Sequence, residues 1–233
     1  MRNLVKVLST AAIFLSCTLS VANSQDQTDT TNGRSVVTES FGGSDPALIL
    51  GGQISFVQDS APWLVYLSNG NLVMENRQNP KSLQYNDIAW VKFPESGVLT
   101  STENLIISAI VESENVGNGG AGILIGSGKA GAYLAFAVDG QGRYHVLKKE
   151  SRKLRTLHSA KHTAIVVGAP NRLTFEVRGA HIAFLANGTE VIQVPYVRRL
   201  GSSGQSGGRS GIGIAAFGTG KFLFDSVAIS RAD

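Results

Sequence analysis

The chain has 233 residues and a formal charge of +4, from 21 Lys and Arg against 17 Asp and Glu, with 27 glycines and one cysteine. A single thiol excludes an intramolecular disulfide and a thiolate zinc site. So small a net charge, with no aromatic-basic strand motif, argues against a nucleic-acid partner.

In chain order, Arg2 and Lys6 precede a mostly apolar run, Val7 to Leu19, too short to span a bilayer. Small residues follow at cleavage spacing, as Ser20-Val21-Ala22 or Ala22-Asn23-Ser24. Residues 1–24 therefore read as a secretory signal, and the expected location is periplasmic or extracellular. Phe14-Leu15-Ser16-Cys17 is an imperfect lipobox, with Phe where Leu is usual, so a lipid anchor through Cys17 is the lesser alternative. No other apolar run approaches transmembrane length. Residues 25–35 are polar throughout and read as a disordered spacer. The folded domain is expected over 36–233, with Phe41 its first core aromatic. Charge is uneven along it: residues 25–150 hold 8 basic and 13 acidic side chains, residues 151–233 hold 11 and 4. That asymmetry favours an anionic partner.

From Leu48 onward short strand-like runs alternate with turn residues. Trp63 to Leu67 and Asn71 to Glu75 flank Asn69-Gly70, a two-residue hairpin signal. Ile88 to Phe93 ends at Pro94, which cannot donate to a ladder. Leu105 to Val111, Gly122 to Ile125, Tyr133 to Val138 and Arg143 to Leu147 follow, and Ala164 to Val167 comes after a basic stretch. In Asn171 to Arg178, Leu173, Phe175 and Val177 alternate with polar residues at period two, which buries one face. His181 to Ala186 and Asn187-Gly188 complete a pair of reversals. Val191 to Val197 carries Pro195, which fits an edge or a bulge. Ile212 to Phe217 and Lys221 to Ser230 close the chain. No segment has a long helical period, and the strand spacing is that of an all-β sandwich or barrel.

Gly122-Ile123-Leu124-Ile125, Tyr133 with Phe136, Asp139-Gly140, Gly142-Arg143-Tyr144, Asn171-Arg172-Leu173, Asn187-Gly188, Gly211-Ile212-Gly213-Ile214 and Phe224-Asp225-Ser226-Val227 fall in a recognisable order. Over Val36 to Ser230 the chain resembles the concanavalin A-like lectin/glucanase superfamily, in particular its laminin-G-like and 3-keto-disaccharide-hydrolase-like bacterial domains. The resemblance implies a jelly-roll sandwich of two antiparallel sheets, one face of which takes glycans in relatives. Fold alone does not choose between lectin, binding module and hydrolase.

The residues bear on that choice. The Glu-x-Asp-x-x-Glu arrangement of the retaining glucanases is absent; Glu112-Ser113-Glu114 comes nearest, with Gly117 where a third carboxylate would stand. Gly204-Gln205-Ser206-Gly207-Gly208 matches a nucleophile elbow only formally, since all four histidines precede it. Gly117 to Gly122 fits a dinucleotide motif, but a strand rather than a helix follows. Gly128-Lys129 fails as a phosphate loop. His158 and His162 lie about 13 Å apart on a strand, too far to share a metal. No cofactor is expected, except that the resemblance leaves calcium open, with Asp139 and Asp225 as its carboxylates.

The expected ligand-binding residues are the strand aromatics Trp90, Tyr133 and Tyr144, with Lys148, Arg152 and Arg155 from the basic run Lys148 to Lys161. Trp63 and Phe136 are expected in the core. The plainer reading of the basic run is a solvated hairpin whose charges protect a sheet edge. The function read from the sequence is an exported, non-catalytic, lectin-like domain for anionic or cell-surface glycans. A 3-keto-disaccharide-type glycoside hydrolase and a structural or protein-binding sandwich are the alternatives.

Overall fold

The computed structural model describes residues 33–42, 55–58, 63–77, 88–92, 104–114, 119–127, 132–150, 153–195 and 212–232. The sequence readings at residues 1–32, at Arg152 and at the motifs around Lys129 and Ser206 lie outside these. Among the described residues the secondary structure is entirely strand.

Two antiparallel sheets form. The eight-stranded sheet contains β1 (Gly33–Glu39), β3 (Trp63–Ser68), β4 (Asn71–Asn76), β6 (Leu105–Ser113), β11 (Asn171–Arg178), β12 (His181–Ala186), β13 (Thr189–Pro195) and β15 (Gly220–Ala232). Its order is β13-β12-β11-β6-β15-β4-β3, and β1 pairs with β15. The seven-stranded sheet contains β2 (Ser55–Gln58), β5 (Ile88–Lys92), β7 (Gly120–Ser127), β8 (Ala132–Asp139), β9 (Arg143–Glu150), β10 (Lys153–Lys161) and β14 (Ile212–Phe217), in the order β10-β9-β8-β7-β14-β5-β2. The fold is the all-β jelly-roll sandwich expected from strand spacing and turn chemistry.

The period-two strand β11 behaves as its pattern requires: Leu173, Phe175 and Val177 are buried and Arg172 and Arg178 are exposed. Phe184 on β12 stacks at 4.8 Å on Phe136 of the opposite sheet and meets Phe175 edge-on at 4.9 Å. These rings join the two sheets at the centre of the core, and each fully buried Phe contributes about 2–3 kcal/mol. Trp63 and Phe136 are core residues, as expected. Phe41 is wholly buried, with its amide held by Glu39 Oε1 at 2.8 Å.

The seven-stranded sheet is apolar on both faces. One face joins the inter-sheet core through Val91, Ile123, Phe136, Val146 and Ile214. Its other face carries a second buried cluster of Ile88, Leu124, Tyr133, Ala135, Ala137, Leu147, Ala215 and Phe217. Strands buried on both faces read as continuous apolar runs rather than alternations. That is why Ile212–Phe217 carries no polar residue.

Two expectations change, and a third, on Pro195, holds. Ala164 to Val167 is turn, not strand, and the strand of that region is the basic stretch itself, β10. Gly33 to Ser35, read as spacer, pair with Ala232 to Ser230 and belong to β1. Pro195 closes β13 at the sheet's edge, one of the two places expected for it, where its missing N–H costs no ladder bond.

Candidate functional site

Those of the expected ligand-binding residues that are described do not converge. Tyr144 lies opposite Ala160 and packs into the inter-sheet core 6.4 Å from Phe136; at 8% exposure it offers no ring face to a ligand. Tyr133 belongs to the outer cluster of the seven-stranded sheet, 6.3 Å from Phe217, and Lys149 Nζ lies 5.7 Å over its ring. The Lys149 ammonium thus occupies the surface that a sugar would stack on. Trp90 is half-buried against the same cluster but on β5, three strand spacings or about 14 Å from β8. Strand alternation also divides the basic run. Lys148 and Arg155 oppose each other on one face, whereas Lys149 and Leu154 oppose each other on the other. Lys148 is further engaged by Glu150 Oε1 at 2.8 Å. β10 is a sheet edge, and its exposed Lys153, Arg155 and Lys161 lie along it.

Asp139 closes the turn before β9. Its Oδ1 accepts the amides of Gln141 and Arg143, both at 2.9 Å, and its Oδ2 lies 3.0 Å from His145 Nε2. Burial pushes the carboxyl pKa up. The hydrogen bonds from His145, Arg143 and Gln141 outweigh it, leaving the pKa below the ordinary value of 3.8. Both oxygens are therefore already occupied by protein donors. Asp225, the other calcium candidate, is the exposed extra residue of a bulge in β15. Among the described residues no group of three or more His, Cys, Asp or Glu is placed to hold a metal ion. His158 is on β10, and His162 lies past its end with Nδ1 accepting the Ala164 amide at 3.2 Å.

The sequence reading missed a polar array on the outer face of the eight-stranded sheet. Tyr66 and Leu64, alternate residues of the edge strand β3, are 38% and 48% exposed. Tyr66 Oη donates to Glu75 Oε2 at 3.2 Å. Arg77 grips the same carboxylate with two bonds, Nε to Oε1 at 2.6 Å and Nη2 to Oε2 at 3.0 Å. The Arg77 hydrogen bond acts first in lowering the Glu75 pKa below the ordinary value of 4.5, so the carboxylate stays ionised at neutral pH. Lys221 is the register partner of Glu75 and binds Glu114 Oε2 at 2.5 Å, which raises the lysine pKa. A tyrosine ring open to solvent thus stands beside a fixed row of donors and acceptors. Such a surface can stack an apolar ring face and hydrogen-bond neighbouring hydroxyls.

No family model and no curated protein matches the chain. Solved structures do. The carbohydrate-binding module CBM66 from Bacillus subtilis superposes with a TM-score of 0.51 at 12% identity, over 76% of this chain and 95% of that one. A Bacillus subtilis protein of unknown function with a galectin-like fold gives 0.57 at 9% identity, over 86% and 97%. The catalytic domain of an endo-1,3-β-glucanase (laminarinase) from Thermotoga petrophila gives 0.56 at 8% identity, over 86% and 98%. The fold is thus the concanavalin A-like sandwich, and identities this low carry the fold alone.

Proposed function

We propose that the chain is an exported carbohydrate-binding domain that holds glycans on the outer face of the eight-stranded sheet without cleaving glycosidic bonds. The observation that carries this reading is the exposed Tyr66 ring beside the Glu75–Arg77 pair. A sugar's apolar face stacks on the ring while vicinal hydroxyls meet a carboxylate and a guanidinium already ordered by each other, so little side-chain entropy is lost on binding. Carbohydrate-binding modules and glycosidases among the structures of like fold support a glycan partner. Trp90 is the one half-exposed residue of the original aromatic set and forms a secondary candidate on the other sheet.

Glycosidic hydrolysis is the weaker reading. It needs one carboxyl kept protonated as the acid and a second as base or nucleophile. Here Glu75 is held ionised by Arg77, and Glu114 is paired with Lys221.

A glycan-array screen of the purified protein, with and without calcium, tests the reading. Binding to at least one glycan class, lost in Tyr66→Ala, is the expected result. Failure to bind any glycan would sink the function, and retained binding in Tyr66→Ala would sink the site.

A further inference from the structure

Asp139, His145 and Ser159 form a hydrogen-bonded chain on the outer face of the seven-stranded sheet, remote from Tyr66. His145 is only 5% exposed; its Nε2 lies 3.0 Å from Asp139 Oδ2 and its Nδ1 lies 3.0 Å from Ser159 Oγ. Ser159 is exposed, so the chain runs from a buried carboxylate to a surface hydroxyl. The proton positions follow from the acid. Ionised Asp139 can only accept, so Nε2 carries the hydrogen, and in the neutral ring Nδ1 is an acceptor that takes the Ser159 O–H. This is the relation of orienting acid, base and hydroxyl that activates a serine.

Two features of β10 place the hydroxyl there. Leu157 is the extra residue of a bulge between Thr156 and His158. Without it the register would set Ser159 against Tyr144, whose ring is in the core; with it Ser159 opposes His145 on the outer face. The His162 amide donates to the Gly142 carbonyl at 3.1 Å, which sets the alternation of the ladder. Ser159 and His145 then fall at a non-hydrogen-bonded pair, the closer of the two kinds for side chains. Ser159's own N–H turns away from β9, off the edge of the sheet, beside the oxygen that would attack. One step along the same face, Lys161 opposes Arg143 and sets two cations near the hydroxyl.

We propose that Ser159 is the nucleophile of an ester-hydrolysing site with His145 as base and Asp139 as the positioning residue, acting on carboxylic esters that carry a negative charge. Ser159 Oγ attacks the ester carbonyl carbon as its proton passes to His145 Nδ1. The Ser159 N–H and the neighbouring cations stabilise the oxyanion. The C–O bond to the alcohol breaks, and the leaving oxygen takes the proton back from His145. Water, deprotonated by His145, then attacks the acyl-serine, releasing the carboxylic acid and restoring the hydroxyl. Ester and water are consumed, acid and alcohol are formed, and the site needs no other reactant. The proposal is independent of the glycan reading, because it uses neither Tyr66 nor its neighbours.

The test treats the full-length protein with a fluorophosphonate probe and, separately, with p-nitrophenyl succinate and p-nitrophenyl acetate. The expected results are one phosphonyl adduct mapped by mass spectrometry to Ser159, and hydrolysis above the buffer rate that favours succinate. Both are lost in Ser159→Ala, a change at an exposed position that leaves the fold intact by circular dichroism. Asp139→Asn should slow hydrolysis by about 100-fold or more. An unlabelled Ser159 in folded protein, or hydrolysis undiminished in Ser159→Ala, overturns the proposal.

Discussion

Asn187 Nδ2 donates to Asn171 Oδ1 across 2.9 Å, joining the turn that ends β12 to the first residue of β11, 16 residues earlier in the chain. Asn171 also accepts the Val166 amide at 2.8 Å and donates to the carbonyls of Val166 and Ala169, both at 2.9 Å. Asn187, at φ 51°, accepts the Arg172 amide and donates to the Ala164 carbonyl, both at 2.8 Å. Two amide side chains therefore satisfy the backbone of a turn-rich segment that has no ladder of its own.

Asn171→Ala leaves part-buried backbone groups of Val166 and Ala169 without these partners and should cost about 1–3 kcal/mol in urea unfolding. Asn187→Gly keeps the left-handed backbone while removing the amide, so its loss measures the bracing alone. Asn187→Ala adds the strain of positive φ and should be the less stable of the two by about 1 kcal/mol.

A Cβ at Gly122 would stand 2.0 Å from the Phe136 carbonyl oxygen and 2.9 Å from Ala137 Cα, both on the paired strand β8. Gly122→Ala must push β7 from β8 and should cost about 3 kcal/mol or more, or prevent folding. Gly179→Ala, with nothing within 4 Å but a φ of +58°, should cost only about 1–2 kcal/mol. Thermal melts of the pair distinguish steric from conformational cost.

Tyr66→Ala should weaken glycan binding about 10-fold or more in calorimetry, a loss of about 1.4 kcal/mol. Tyr66→Phe keeps the ring and loses only the bond to Glu75, so most of the affinity should remain.

Asp139 has a folded pKa below its ordinary 3.8. A depressed carboxylate contributes stability above the unfolded value, and that contribution disappears as pH falls through the folded one. Between pH 5 and pH 2 the protein should therefore lose more stability than Asp139→Asn does, by denaturant melts along the series. Equal acid slopes would remove Asp139 from the account.

The hairpins and the core were legible because they rest on local rules. Asn69 and Asn187 both take positive φ before a glycine, as their dipeptides require. The period-two run of β11 faces the core. The strand at 153–161 was legible only as a charged hairpin edge without bounds, because its inner and outer positions are nearly all exposed and no apolar alternation marks its ends. The exposure of the strand aromatics was not legible, for a different reason. An aromatic on a strand looks the same in sequence whether its face is covered or open, and Tyr133 and Tyr144 are covered while Tyr66 is open.

The all-β class, the Asn-Gly turns and the lack of an intramolecular disulfide were legible in the sequence, because these depend on neighbouring residues or on composition. Which strands lie side by side beyond the hairpins follows from the packing of the whole chain. So does the meeting of Tyr66 with Glu75 and of His145 with Ser159. Each meeting depends on register, and for Ser159 one extra residue in β10 sets which face the hydroxyl occupies. A period-two chain carries no mark of its partner's register, so function in this fold is written across strands rather than along them.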